Sequence, residues 1–195
     1  MGGMAEERGN TRITDPQVMR ALAHPARIEI MEHLASTGAV VTATECARLV
    51  GLSPSATSYH LRELARYGLV EQAPSRGDGR ERVWRSTNPG LSIEGDVAEP
   101  ETRAAENALV DAYLTRDLAR QRQWRARMHE EPRRWREAST LMNQMLLLTA
   151  DELSEVSVRI RELLAPYGRR DRLADPPEGA RTVAVHYAAF PVDAE

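Results

Sequence analysis

Hydrophobic residues recur at helical spacing in four stretches of the first 70 residues, and each stretch has its own start and stop signals. The first two begin at Asp15-Pro16 and His24-Pro25, where proline occupies the first helical position and its missing N–H costs nothing. The third begins at a capping box, Thr42-Ala-Thr-Glu45, and the fourth begins at Ser53-Pro54. This pattern predicts four short helices, the last two joined by a tight turn at residues 51–53.

The fourth predicted helix, residues 53–67, has two unlike faces. Thr57, Leu61 and Leu64 lie at i, i+4 and i+7, which is a stripe that must pack against other apolar residues. The opposite face carries hydroxyl groups at its front and arginines behind them: Ser55, Ser58, Tyr59, Arg62 and Arg66. A short helix with this order of side chains suits a DNA major groove flanked by phosphates.

A basic hairpin is predicted directly after this helix. Residues 69–73 and 81–86 are typical of two strands, and residues 74–80 between them form a turn rich in Gly, Asp and Arg. Arg76 and Arg80 are expected at the tip of the hairpin, with Arg82 and Arg85 on its return strand. Two helices, a turn and a basic hairpin in this order predict a winged helix-turn-helix.

Three strings within residues 14–87 resemble the ArsR family of bacterial repressors: Ala-Leu-Ala-His-Pro-Ala-Arg-Ile-Glu-Ile-Met-Glu-His-Leu at 21–34, Leu-Ser-Pro-Ser-Ala-Thr-Ser-Tyr-His-Leu at 52–61, and Gly-Leu-Val at 68–70. The resemblance implies a homodimer that binds operator DNA and represses transcription. It also implies DNA-facing positions, with Ser55, Ala56, Ser58 and Tyr59 toward base edges and Arg62, Arg66, Arg76, Arg80 and Arg82 on phosphates. His60 either packs half-buried behind the helix or takes part in function, and both readings stay open.

The charge of the chain is unevenly distributed. All 26 basic residues are arginine, and the net charge of the chain is −3. Residues 15–90 contain nine Arg and eight acids, a balance of +1, whereas residues 91–195 contain fifteen Arg and nineteen acids, a balance of −4. A local basic face on such a nearly neutral domain is enough for moderate, salt-sensitive binding to DNA.

A long two-sided helix is predicted over residues 101–129, after a Pro- and Gly-containing linker at 88–100. One apolar row runs from Val110 through Leu118 to Met128, and a second runs from Ala105 to Tyr113. Because a single small domain cannot cover both rows, we expect this helix to pair in a dimer. The predicted dimerisation residues are Leu109, Tyr113, Leu114, Leu118 and Trp124. The arginines between 116 and 136 either extend the DNA contact or form a solvated face.

A small α+β unit is expected to complete the chain. Residues 138–148 and 183–187 are predicted strands, and a helix starts at the capping box of Thr149 and Glu152 and closes at Gly168. The predicted fold class is therefore mainly α with small β elements. The domains are a disordered arm at 1–12, a winged helix-turn-helix at 13–87, the linker, a C-terminal dimerisation domain at 101–190 for which a sensing role stays open, and a tail at 191–195.

Neither a metal nor another cofactor is expected. Cys46, the only cysteine, lies in an apolar run that favours a buried structural thiol, and the five histidines are scattered. Aromatic and methionine side chains recur in the second half, where they form either plain core or an apolar pocket for a small organic ligand: Tyr113, Trp124, Met128, Trp135, Met142 and Met145.

Other classes of function find little support in the sequence. There is no phosphate-binding Gly loop, nucleophile elbow or paired-carboxylate motif, so an enzyme is not expected. The chain has no apolar run near 18 residues and no leader, which predicts a cytoplasmic protein without a membrane partner. The alternative function is a winged helix that binds another protein instead of DNA. Steep salt dependence of duplex binding would distinguish a DNA reader from such a module.

Overall fold

The structure, a computed structural model, describes residues 11–74, 81–93 and 98–192. The chain divides into two compact units, Met1–Arg116 and Asp117–Glu195. The division falls inside the long helix and not in the linker predicted at 88–100. Nowhere in the described ranges is a helix both long enough and apolar enough to cross a membrane.

The first unit contains the four predicted helices and the start of the long one. These helices are α1 Pro16–Leu22, α2 Pro25–Thr37, α3 Ala43–Val50, α4 Pro54–Arg66 and α5 Pro100–Arg127. Each of the first four begins at its predicted cap, because Asp15, His24, Thr42 and Ser53 all accept a backbone N–H from the first turn.

Five short strands accompany these helices: β1 Thr11–Ile13, β2 Val41–Thr42, β3 Val70–Ala73, β4 Val83–Ser86 and β5 Leu91–Ile93. The predicted hairpin is present as antiparallel β3 and β4, and β2 adds to the other edge of β4. β1 and β5 form a separate parallel pair. Two predictions are thereby corrected, because residues 11–12 of the expected arm and residues 91–93 of the expected linker lie in strands.

The hydrophobic core of the first unit includes residues from the long helix. Met19, Leu22, Ile28, Leu61 and Leu64 are fully buried in its centre. Ala105 and Leu109 of α5 join the same cluster. The prediction of Leu109 as a dimerisation residue is therefore wrong, because its own subunit already covers it completely.

The second unit is helical throughout its regular elements. The end of α5 passes through a 3-10 turn, Met128–Glu130, into α6 Arg133–Ala138, and α7 Ala150–Leu164 leads through a second 3-10 turn to α8 Arg169–Arg172. The predicted capping box of α7 is confirmed: the N–H of Thr149 donates to Oε2 of Glu152 over 2.8 Å, and the N–H of Glu152 donates to Oγ1 of Thr149 over 3.2 Å.

The two strands predicted for the second unit are not formed. Residues 139–149 and 181–192 belong to no strand, and their side chains are exposed. A strand requires a hydrogen-bonded partner, and the described residues provide none for either segment. The apolar face of α7 is also not buried: Leu153, Val156 and Ile160 are half-buried, while Leu163 and Leu164 are exposed. The mainly α fold with an N-terminal winged helix and a long helix is confirmed, but the β part of this unit is not.

Candidate nucleic-acid interface

Local interactions fix α4 with one face inward and the other outward. The hydroxyl of Ser53 accepts the N–H of Ala56 over 3.2 Å, and the hydroxyl of Thr57 donates to the carbonyl of Ser53 over 3.0 Å. Gly51 makes the preceding turn at φ +66°, a left-handed conformation that favours glycine. Thr57, Leu61 and Leu64 are buried as predicted, so the polar face of α4 points outward.

A groove of about 390 Å³ lies along this outward face. The end of β2, the start of α3, the front of α4 and the residues leading into β4 line it: Thr42, Ala43, Thr44, Pro54, Ser55, Ser58, Arg62, Glu81, Arg82 and Trp84. The groove brings together four of the predicted DNA-facing residues, Ser55, Ser58, Arg62 and Arg82. It thus combines hydroxyl groups and guanidinium groups, which suit base edges and phosphates respectively.

The other predicted residues on α4 lie outside the lining of this groove. Tyr59 is 53% exposed, Arg66 is also exposed, and Ala56 is half-buried. The guanidinium of Arg66 lies 5.7 Å from the centre of the Tyr67 ring. These side chains lie on the same helix, next to the residues that line the groove. Arg76 and Arg80 fall outside the described residues.

The groove also contains residues that the sequence pattern did not single out. Thr44 and Trp84 line it, and Glu81 places a negative charge beside Arg82. On the wing, Arg85 is paired with Glu71 across β3 and β4 at 2.7 Å, which neutralises one of the predicted wing arginines. Thr44 could have been found from its place in the first turn of α3, but nothing in the sequence distinguished Trp84 from a core residue.

His60 lies on the back of α4 and packs inward. It is 8% exposed, and its ring centre lies 4.5 Å from that of His24, the N-cap of α2. Among the described residues, Nδ1 of His60 is buried without a hydrogen-bond partner. Burial lowers the pKa of His60, and positive charge on His24 and Arg27 lowers it further. Of the two open readings of His60, the geometry matches the packing role.

Cys46 is a buried thiol in α3. Burial, with a smaller contribution from the nearby Glu45 carboxylate, raises the pKa of Cys46 to about 11. The thiol therefore stays protonated at neutral pH, whereas metal binding and nucleophilic chemistry need the thiolate. Within the residues that the structure describes, no three His, Cys, Asp or Glu side chains form a group able to hold a metal ion.

The long helix α5 exposes an apolar stripe next to its buried one. Val110, Leu114 and Leu118 are exposed, with Leu114 46% and Leu118 47% accessible. Tyr113 and Trp124, also predicted at a dimer interface, are half-buried. The structure thus separates the two predicted rows: one packs on the core of the first unit and the other faces outward.

The arginines between 116 and 136 include two with carboxylate partners of their own. Arg116 pairs with Glu32 of α2, and Nε of Arg133 lies 2.7 Å from Oε1 of Glu137, one turn along α6. The exposed pair on α6 is typical of the solvated-face reading, whereas the Arg116 side chain is only 17% exposed.

Comparison with known proteins agrees with the architecture. Residues 22–73 match the family described as "Helix-turn-helix domain". Similar solved structures include reduced HlyU from Vibrio cholerae, at 24% identity over 50% of this chain and 88% of that one, and NolR from Sinorhizobium fredii, at 26% over 49% and 80%. A third, a possible transcriptional regulator for arsenical resistance, is 29% identical over 55% and 96%. All three have TM-scores of 0.31, so the superpositions add nothing to the family match.

The arrangement of α3, the tight turn, α4 and the β3–β4 wing, together with the family match over residues 22–73, defines a winged helix-turn-helix domain. The strings at 21–34 and 52–61 within it are the ones that resemble the ArsR family.

Proposed function

We propose that this protein is a homodimeric transcriptional repressor of the ArsR type, in which each subunit inserts α4 into the major groove of operator DNA. The observation that carries the proposal is the groove lined by Ser55, Ser58, Arg62 and Arg82. Recognition needs groups that read base edges next to groups that hold phosphates, and these four side chains supply both kinds.

The length and orientation of α4 fit this docking. Its 13 residues span about 20 Å at the ordinary helical rise, and its apolar stripe holds it on the core from behind. The hydroxyl groups lie in the first two turns, which is the part of a recognition helix that reaches base edges. Arg62 follows one turn after Ser58, and Arg82 faces the same groove from the wing.

Dimerisation is supported by the outward apolar stripe of α5. A row of exposed large apolar side chains on a helix is typical of a surface that another chain covers. A dimer also doubles the number of phosphates that the protein neutralises, which raises its affinity for DNA. A twofold dimer reads two half-sites, whose centres are expected about one helical turn apart or a multiple of it.

The predicted small organic ligand forms part of this proposal as the inducer. Trp124, Met128 and Trp135 of the second unit are half-buried, which leaves part of each surface for an apolar molecule. An inducer would act by favouring a dimer geometry in which the two α4 helices no longer match the spacing of the half-sites.

The proposal is tested by selecting binding sites from duplexes that contain 20 randomised base pairs. We expect the full chain to enrich an inverted repeat, because two equivalent α4 helices read it. Ser58→Ala should change the preferred bases without abolishing duplex binding, since its hydroxyl supplies base contacts and not phosphate contacts. Ser154→Ala, an exposed serine on α7, is the matched control and should select the same sequence as wild type. Failure of the wild type to enrich any sequence would contradict DNA readout and favour a protein-binding module.

A further inference from the structure

The second unit has well-formed helices but lacks a buried core. None of its described residues, 117–192, is buried. Yet α7 carries a capping box and an apolar face, which is the pattern of a helix that packs on other elements. Helices of this length owe most of their stability in water to such packing. The apolar surface of this unit must therefore be covered in the functional protein.

Most of the uncovered apolar surface lies in two extended segments, residues 139–149 and 181–192. Leu147 is 101% exposed, and each of the other large apolar residues of the two segments is also exposed: Leu141, Met142, Met145, Leu146, Leu148, Val183, Val185, Tyr187, Phe190 and Val192. In total they expose on the order of 1,000 Å² of apolar surface, compared with about 800 Å² per partner in a standard protein interface.

The segment 181–192 is fixed in place by its own subunit. The guanidinium of Arg181 makes a two-pronged contact with the carboxylate of Glu131, at 2.6 and 3.1 Å, and lies 4.9 Å from the centre of the Trp135 ring. Nδ1 of His186 lies 3.0 Å from Oδ2 of Asp117. The segment is thus held extended at two points while its apolar side chains stay exposed.

Both segments are suited to becoming buried strands. Residues 139–149 contain no charged side chain, and the two basic side chains of 181–192, Arg181 and His186, already contact carboxylates. Burying these segments would therefore leave no unpaired charge. Residues 145–148 are continuously apolar, which is the pattern of a strand buried on both faces. Val183, Val185 and Tyr187 recur at every second position, which is the pattern of a strand buried on one face.

We propose that the segment 139–149 of one subunit pairs as a β-strand with the segment 181–192 of a second copy of the chain. This inference deepens the proposed homodimer and rests on it. Within one chain the two segments do not pair, although both are extended and described. Across a twofold axis each copy supplies one segment of each kind, so two equivalent pairings form and every segment has a partner. The sheet would cover the apolar face of α7 and give the two second units a shared core.

The first test compares the oligomeric state of full-length variants by sedimentation equilibrium. Leu147→Glu places a charge in both pairings, and we expect it to raise the dissociation constant of the dimer by about two orders of magnitude or more. Leu173→Glu makes the same substitution at an exposed leucine outside both segments and should leave the dimer unchanged. A wild-type dimer that Leu147→Glu does not weaken would overturn the strand exchange alone. A wild-type monomer would overturn the proposed homodimer as well.

The second test does not depend on a destabilising substitution. In a Cys46→Ser background, one chain carries Met145→Cys and a second, larger tagged chain carries Val185→Cys, and a flexible bismaleimide is added. Strand exchange predicts a cross-linked product with the summed mass of both chains, formed only when the two variants are mixed. A chain that carries both cysteines and links only within itself, while the mixture yields no product, would show pairing inside one subunit and overturn the proposal. Association with a different protein in place of a second copy would also leave the mixture without product.

Discussion

At the residue scale, the contact between His60 and His24 couples α4 to the start of α2. The two rings lie 4.5 Å apart, and neither histidine has an acidic partner in the contacts described. The pKa of each is lowered, chiefly by burial and further by neighbouring positive charge that includes Arg27. Both rings are therefore neutral at pH 7, and packing of α4 depends on their staying so.

Acidification should destabilise the winged helix through this pair. Because the folded-state pKa values lie below the unfolded value near 6.5, the unfolded chain binds more protons as the pH falls. The stabilisation is complete above about pH 6.5 and is lost as the pH falls through the folded-state values. We expect a lower Tm at pH 5.5 than at pH 7.5, measured by circular dichroism, and a smaller difference in His60→Gln. His129→Gln, at a highly exposed histidine, should behave as wild type. Equal Tm values of wild type at both pH values would contradict the predicted loss of stability through this histidine pair.

Cys46 should be nearly inert in the folded protein. A pKa of about 11 in place of the ordinary 9.0 lowers the thiolate fraction at pH 7.5 about a hundredfold, and burial in α3 hinders access further. Labelling with a thiol reagent is therefore expected to be slower in the native chain than in guanidinium by at least that factor. In a reporter strain, Cys46→Ser should retain both repression and induction. Native labelling at the unfolded rate, or loss of induction alone in Cys46→Ser, would point to thiol-based sensing.

At the element scale, local signals predicted the helices well because their causes are local. Asp15, His24, Thr42, Ser53 and Thr149 each accept the backbone N–H that their positions predicted. A cap acts within one turn, so residues three apart in the sequence suffice to reveal it. The apolar stripe of α4 could be predicted for the same reason, because its residues Thr57, Leu61 and Leu64 lie within two turns of one another.

The strands β1, β2 and β5 could not be predicted because their causes are distant in sequence. β1 pairs with β5 through Thr11 and Leu91, and β2 consists of two residues that pair with β4. No pattern of alternation can appear in two or three residues. In the second unit a predicted strand did not form. Residues 183–187 alternate as a strand would, but alternation does not supply a hydrogen-bonded partner strand.

The outward stripe of α5 yields a prediction about dimerisation. Replacing Leu114 and Leu118 together with Glu should give monomers at micromolar concentration, because it places four charges in an apolar contact across the twofold axis. Affinity for a repeated site should fall with it, since a monomer reads one half-site and contacts fewer phosphates. Ala119→Glu, on the other side of the helix, is the control and should remain dimeric. Sedimentation velocity measures the oligomeric state of the double variant and of the control, and a dimeric double variant would show that α5 does not form the interface.

At the scale of the whole molecule, the two units differ in whether a single chain is enough to form a buried core. The first unit has a closed core that runs from Ile13 to Leu109 and a polar groove on its surface. The second has one capped helix, α7, and apolar segments, but none of its described residues is buried. The sequence alone suggested α4 as the proposed DNA-facing helix because its two faces differ in polarity within one short segment. The core of the second unit was beyond prediction from one chain, since burial there depends on which surfaces meet.

The central claim, that the groove along α4 binds the DNA backbone and bases, is tested most directly by the salt dependence of duplex binding. Fluorescence anisotropy with a labelled 30-base-pair duplex gives the slope of log Kobs against log salt for wild type, Arg62→Ala and Arg20→Ala. Arg20 pairs with Glu101, does not line the groove, and so controls for the loss of one positive charge. The account predicts that Arg62→Ala weakens binding and flattens the slope by about one unit per subunit, while Arg20→Ala leaves the slope unchanged. An Arg62→Ala variant with the affinity and slope of wild type would contradict it.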